Sequence, residues 1–249
     1  MVIGGFDPTG GAGVVRDFIT ARALRATVRM IPSAWTEQSP SGVAAIEPRG
    51  ARELETAIRT SLIDARDREP CAVKIGMVPD ATAVDAVVRG LSEFEGSVVL
   101  DPVLCSSSGG RLFREDCSQL RPLLLRATVV TPNLLELAEL TRVPIAADVT
   151  HAGRALISEG IRAVLVKGGH ADSNDATDVL FSAHEPERRF TLPRLSGPSV
   201  RGTGCALSTA IAVELSRGLS LPDAVAAAKR WLHEALQHPS RTANEWHLT

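Results

Sequence analysis

The chain has 249 residues, 44% hydrophobic and 22% charged, with a formal net charge of −2. This length and apolar content suit one sizeable α/β core and exclude a disordered chain. The near-neutral charge offers no general attraction to nucleic acid or an anionic membrane. With 4% aromatic residues and no tyrosine, a stacking platform for nucleic acid is also disfavoured. No apolar run of about 18 residues is present. The start, Met1-Val2-Ile3-Gly4-Gly5, lacks the basic and apolar stretches of a signal peptide, so a cytoplasmic location is expected.

In chain order, a short first strand at Met1–Ile3 leads into Gly4–Gly13 and a helical pattern over Gly13–Leu24. Continuous apolar runs at Val28–Ala34, Ala72–Met77, Val98–Val103, Thr128–Thr131 and Ala163–Lys167 predict buried parallel strands. Helices are predicted between them over Arg52–Ala65, Ala81–Phe94 and His151–Ser158. Asp178–Ala183 and Arg189–Leu192 alternate, as an antiparallel edge pair would. Two helices, Thr203–Arg217 and Pro222–Leu236, close the chain. Such alternation predicts a single α/β domain across 1–249, with a mainly parallel sheet and helices on both faces. The turns at 66–69 and 172–175, and Asp64, Asp67 and Glu69, read as solvated.

In sheets of this kind ligands sit beyond the carboxyl ends of the strands. Unusual residues recur there: Gly4–Gly13, Lys74-Ile75-Gly76-Met77, Asp101-Pro102, Thr131–Glu136 and Lys167-Gly168-Gly169-His170. The most informative piece is Arg201-Gly202-Thr203-Gly204-Cys205, a glycine turn running into an apolar helix. The unpaired N–H groups of a helix start and the helix dipole suit an anion, most often phosphate. A thiol at that position is expected to have a lowered pKa and raised reactivity. Cys71, Cys105 and Cys117 fit no zinc spacing and read as reduced thiols, some simply buried. His170 reads as structural rather than catalytic, and His151, His184 and His233 show no metal spacing.

The order and spelling of these pieces resemble the ribokinase-like superfamily, and within it the hydroxymethylpyrimidine/phosphomethylpyrimidine kinases of thiamine synthesis. The matching stretches are Gly5–Gly13, Thr36-Glu37-Gln38, Lys74–Met77, Leu100–Val103, Thr131-Pro132-Asn133 with Glu136, Val166–His170 and Gly202–Cys205. Cysteine at 205 separates this group from the sugar kinases, which usually carry Asp there. The resemblance implies a ribokinase-like fold, use of ATP and magnesium, a small aminopyrimidine alcohol and its phosphate as substrates, and a homodimer. It also implies roles. Gln38 pairs with the aminopyrimidine edge, Asp17 lies in the same pocket, and Met77 packs on the ring. Gly5 and Gly11 bring backbone close to the substrate. Lys167 lies near the ATP phosphates, with Thr203 and Gly204 also binding the nucleotide. Asn133 and Glu136 organise magnesium through water. Gly202, Thr203, Gly204 and Cys205 form the catalytic anion hole, Cys205 standing in for the superfamily's aspartate base.

Chemistry agrees with several of these roles. An amide both donates and accepts, as an aminopyrimidine edge requires of Gln38; read alone, Gln38 is a polar turn residue. A thioether suits a flat ring, although Met77 alone reads as core. Asp101 either holds metal, or caps a helix or orients its loop.

The chain departs from the family's pattern in places. Arg201 stands where the family usually has His. Glu37-Gln38-Ser39-Pro40 replaces Ala-Gln-Asn-Thr. A lysine common near Ser107 is missing, and Gly110 replaces Asp. Two alternatives follow. One is a pyridoxine or pyridoxal kinase, separable by competing substrates. The other is a pyrimidine-binding paralogue, which would bind ligand without turning over ATP.

Overall fold

The computed structural model describes residues 1–39, 42–63, 72–106, 109–144, 148–168, 174–183, 185–242 and 245–248. Cys71, Asp64, the 66–69 turn, Ser107, Gly169, His170 and His184 lie outside the described residues, as do residues 172 and 173.

Nine strands form one sheet: β1 (Val2–Phe6), β2 (Met30–Ser39), β3 (Gly42–Pro48), β4 (Ala72–Ile75), β5 (Ser97–Leu100), β6 (Val129–Val130), β7 (Ala163–Val166), β8 (Asp175–Ser182) and β9 (Arg188–Pro193). Their order is β3-β2-β1-β4-β5-β6-β7-β8-β9. The pairs from β2 through β7 are parallel, while β3, β8 and β9 pair antiparallel. The mainly parallel sheet and the antiparallel edge pair are therefore as expected. The chain winds outward from β1 to β2 and β3, then returns to β4 on β1's other side. That reversal makes a crevice at the ends of β1 and β4.

Strand alternation sorts the core into two layers. Val73 and Ile75 face one layer with Leu54 and Ile58 of α2 (Ala51–Ile63), and Val84 and Val87 of α3 (Ala81–Gly90). The same layer takes Leu123 of α4 (Arg121–Arg126), Leu137 of α5 (Leu134–Thr141) and Leu156 of α6 (Val149–Ser158). Ala72 faces the other layer with Leu207 and Ile211 of α7 (Thr203–Ser216), and Val225 and Ala228 of α8 (Leu221–Gln237). α1 (Gly13–Ala23) packs on this second side against α7. Lys74 shares Ala72's parity, so a lysine points into an apolar layer.

Several elements differ from expectation. β2 continues to Ser39, so Gln38 is a strand residue opposite Val43. β3 pairs with β2 over that extension and supplies the partner that a turn reading overlooked. The predicted strands over 72–77 and 98–103 stop at Ile75 and Leu100, and the helix predicted to Phe94 stops at Gly90. α4, α5 and a C-terminal hairpin, β10 (Ser240–Thr242) and β11 (Glu245–His247), are additional. No helix among the described residues is long and apolar enough to cross a membrane.

Candidate active site

Helix starts differ in how their first amides are met. α3, α5, α6 and α8 begin on side-chain caps: Asp80, Asn133, Asp148 and Ser220 each accept a first-turn N–H. α1 and α7 begin after glycine turns with no side-chain cap. The first-turn amides of α7 lack that internal acceptor, as an anion site requires.

These two starts meet. Gly202 has φ +75°, and a Cβ there would lie 2.3 Å from the Gly11 carbonyl oxygen. Gly13 has φ +59°, and a Cβ there would lie 2.1 Å from the Gly5 carbonyl oxygen. Only glycine permits both the left-handed backbone and this approach. The Gly13 N–H donates to the Cys205 sulfur. Residues 201–205 are half-buried rather than sealed in the core.

The expected ring-binding residues lie alongside. A Cβ on Gly5 would be 3.0 Å from Met77 Sδ. Met77 is buried with Ala34 and Leu112, and Val43, Ile46 and Val103 pack around them. Gln38 Nε2 donates to Thr36 Oγ1 at 2.8 Å, which orients the amide. Arg201 Nη2 donates to Gln38 Oε1 at 3.4 Å and lies 3.5 Å from Asp7 Oδ2. Thus Gln38 and the 202–205 turn are neighbours. Asp7, unremarked in the sequence beyond its motif, is buried. Its carboxylate accepts from Thr9 and Ala12 and folds the glycine loop.

On the turn's other side stands a charged group. Lys167 Nζ donates to Asp101 Oδ1 at 2.6 Å and lies 3.9 Å from Glu136 Oε2. A Cβ on Gly204 would approach Lys167 Nζ to 3.3 Å, so glycine keeps a cradle open between the turn and the lysine. Asn133 and Glu136 form the reciprocal capping box of α5. A backbone bridge from Asn133 to Lys167 ties this cap to the end of β7. Burial raises the Glu136 carboxyl to about 7, against the opposing effect of Lys167. Burial also works against the Asp101 charge, but Lys167 and Lys74 outweigh it and hold that carboxyl below its ordinary value. Among the described residues no three His, Cys, Asp or Glu side chains cluster to hold a metal. Two carboxylates beside a lysine suit magnesium held mostly by phosphates and water, rather than a protein cage.

Two expectations are corrected. Asp17 is not open to a ligand. It is fully buried, and its carboxylate accepts from Lys74 Nζ at 2.9 Å on both oxygens and from Thr209 Oγ1 at 2.9 Å. Cys205 is not poised as a thiolate. Burial pushes its thiol up to about 11; Lys74 and the Gly13 N–H oppose this, while Asp17 and Asp101 add to it. Desolvation here outweighs the helix end.

Sequence reasoning gave Lys74 no role. The available signal was a charged residue inside an otherwise apolar strand, since buried charges require partners. Burial opposes the Lys74 charge, but Asp17 more than offsets it and holds the ammonium above its ordinary range. Arg16 was also overlooked. It is 2% exposed and donates from Nη1 to the Leu248 carbonyl at 2.8 Å, and its Nε faces Gly202.

Similarity to known proteins gives the family. A hydroxymethylpyrimidine/phosphomethylpyrimidine kinase of Rhizobium meliloti (strain 1021) is 39% identical over 248 residues, covering 97% of this chain and 91% of that one. The crystal structure of phosphomethylpyrimidine kinase from Clostridium difficile 630 superposes with a TM-score of 0.78 at 29% identity, over 94% of this chain and 97% of that one. A Bacillus subtilis pyridoxal kinase solved with ADP shares the fold, with a TM-score of 0.85 at 23% identity over 99% and 95% of the two chains. With residues 7–248 matching its family pattern, the chain belongs to the phosphomethylpyrimidine kinase family of phosphotransferases.

Proposed function

We propose that the protein transfers the terminal phosphoryl group of ATP to 4-amino-5-hydroxymethyl-2-methylpyrimidine, and then to the resulting monophosphate, giving the diphosphate used in thiamine synthesis. The observation that carries this reading is the contact between Arg201 Nη2 and Gln38 Oε1 at 3.4 Å. It sets a group able to read an aminopyrimidine edge beside a turn able to hold a phosphate.

Gln38 offers donor and acceptor to the ring, and Met77 offers it a polarisable surface. Gly5 and Gly11 let Met77 and Arg201 pack close against the backbone that borders the substrate. The acceptor hydroxyl oxygen bonds to the terminal phosphorus of ATP as the bond to the ADP oxygen breaks, and the hydroxyl proton passes to solvent. The amides of 202–205 and Lys167 balance the charge on the transferred group. Magnesium, organised by Asp101, Asn133 and Glu136, would neutralise phosphate charge. A loose transition state keeps the hydroxyl proton until late, so a neutral Cys205 thiol is compatible with turnover. Asp17 acts through Lys74, beneath the turn, and does not touch the ring.

The test is incubation with the hydroxymethyl pyrimidine and ATP–magnesium, followed by mass spectrometry. Mono- and diphosphate products are expected, with pyridoxal a poorer competing substrate. Ligand binding without ADP formation, or preferred turnover of pyridoxal, would refute the reading.

A further inference from the structure

The cations around the turn lie on two sides. Lys167 stands beside Gly204, close to Asp101 and Glu136. Arg201 stands on the acceptor side. Its Nη2 approaches Gln38 and Asp7, and a Cβ on Gly11 would touch its Cζ and Nη1 at 3.4 Å. Its side chain is 16% exposed. Its backbone is fixed as well, for the Arg201 N–H donates to the Trp246 carbonyl and Val200 bridges Trp246.

An alcohol acceptor has no charge, so it needs no cation next to the glutamine that reads its ring. A phosphomonoester brings a charge of about −1.5 to −2 toward a nucleotide that is already anionic. Only the second acceptor therefore has use for a guanidinium at Gln38. The Arg201 contacts with Gln38 and Asp7, at 3.4 and 3.5 Å, place the guanidinium beside the residue that reads the ring, where a charge-assisted bond of roughly 2.7–2.9 Å to a phosphate would form. Asp7 restrains the guanidinium, and a planar fork matches phosphate geometry.

We propose that Arg201 is the specificity residue for the second phosphorylation and binds the phosphate that the acceptor already carries. In that step a phosphate oxygen of the monoester bonds to the terminal phosphorus of ATP while the bond to ADP breaks. The dianion attacks directly, so no proton has to leave. The inference rests on the reading that the acceptors are the pyrimidine alcohol and its monophosphate.

The experiment assays the two acceptors separately, each with ATP–magnesium, for the wild type, Arg201→Gln and Arg201→Lys. Circular dichroism checks folding. Calorimetry of each acceptor without nucleotide gives a binding readout independent of turnover. With Arg201→Gln, kcat/KM for the monophosphate is expected to fall at least tenfold further than kcat/KM for the alcohol, chiefly through KM. Arg201→Lys, which keeps the charge but loses the fork, falls between. Monophosphate binding weakens in the same order, and its salt dependence shrinks. Equal losses on both acceptors would mark Arg201 as structural and overturn the proposal while leaving the kinase reading intact. Undiminished use of the monophosphate would overturn it too. A wild type that phosphorylates neither acceptor would sink both. Should Arg201→Gln not fold, the Arg201→Lys split decides alone.

Discussion

Lys74 Nζ lies 2.9 Å from both carboxylate oxygens of Asp17, with side-chain exposures of only 1% and 0%. The pair joins β4 to α1, and Thr209 joins it from α7. It forms a polar floor beneath Cys205. Removing one partner leaves the other charge buried and uncompensated. Lys74→Met should therefore lose about 3–5 kcal/mol in urea unfolding. The double variant Lys74→Met/Asp17→Leu should recover much of that loss, since neither charge of the pair remains. A double variant no more stable than the single one would argue that the pair's energetic weight lies elsewhere.

Cys205 should behave as a neutral thiol at neutral pH. With its pKa raised to about 11, the thiolate is scarce at neutral pH and grows only as the solution becomes strongly basic. The difference in thiolate absorbance between wild type and Cys205→Ser isolates this cysteine from the others. It should stay flat through pH 8 and rise toward pH 11. A midpoint near 7 would restore the thiolate base expected from the helix end alone.

Gly202→Ala tests the turn. The new methyl would meet the Gly11 carbonyl in a backbone of φ +75°, so either the turn or the glycine loop must shift. Donors displaced from a developing charge typically cost about 10²–10³ in kcat, and a loss of that order is expected in ADP release assays. Gly197→Ala serves as the control. Gly197 is exposed, and a Cβ there meets nothing within 4 Å. Comparable losses in both variants would count against a special role for the 202 turn.

Much of this site was legible because its parts are local. Gly202–Cys205, Asn133 with Glu136, and Gly5–Gly13 each carry their meaning within a few residues. Hydrophobic runs likewise marked the parallel strands and the two closing helices. What stayed hidden depended on distant partners. The helix end near Cys205 is visible in sequence, but the burial that outweighs it comes from packing, and Asp17 and Asp101 reach the thiol from other elements. Asn133-x-x-Glu136 is a helix-start signature, yet its likeness to a metal pair drew attention from α5. Gln38 looked like a turn because Pro40 and Gly42 follow it. The pairing with β3 that keeps it in a strand is a tertiary fact.

Glu136 gives a pH prediction whose sign is unusual for a carboxylate. Burial lifts it from 4.5 to about 7, so between those values the folded chain holds a proton that the unfolded chain has released. Stability then falls as pH rises through this window, because charging a buried Glu136 is harder in the folded state. Glu136→Gln stays neutral throughout and keeps a capping-box acceptor for the Asn133 N–H. Thermal unfolding of both proteins in EDTA should give similar midpoints near pH 5. The variant should become progressively more stable than wild type toward pH 8. A gap that does not change with pH would mean that Glu136 is ionised throughout, with Lys167 at 3.9 Å compensating its burial more fully than the geometry indicates.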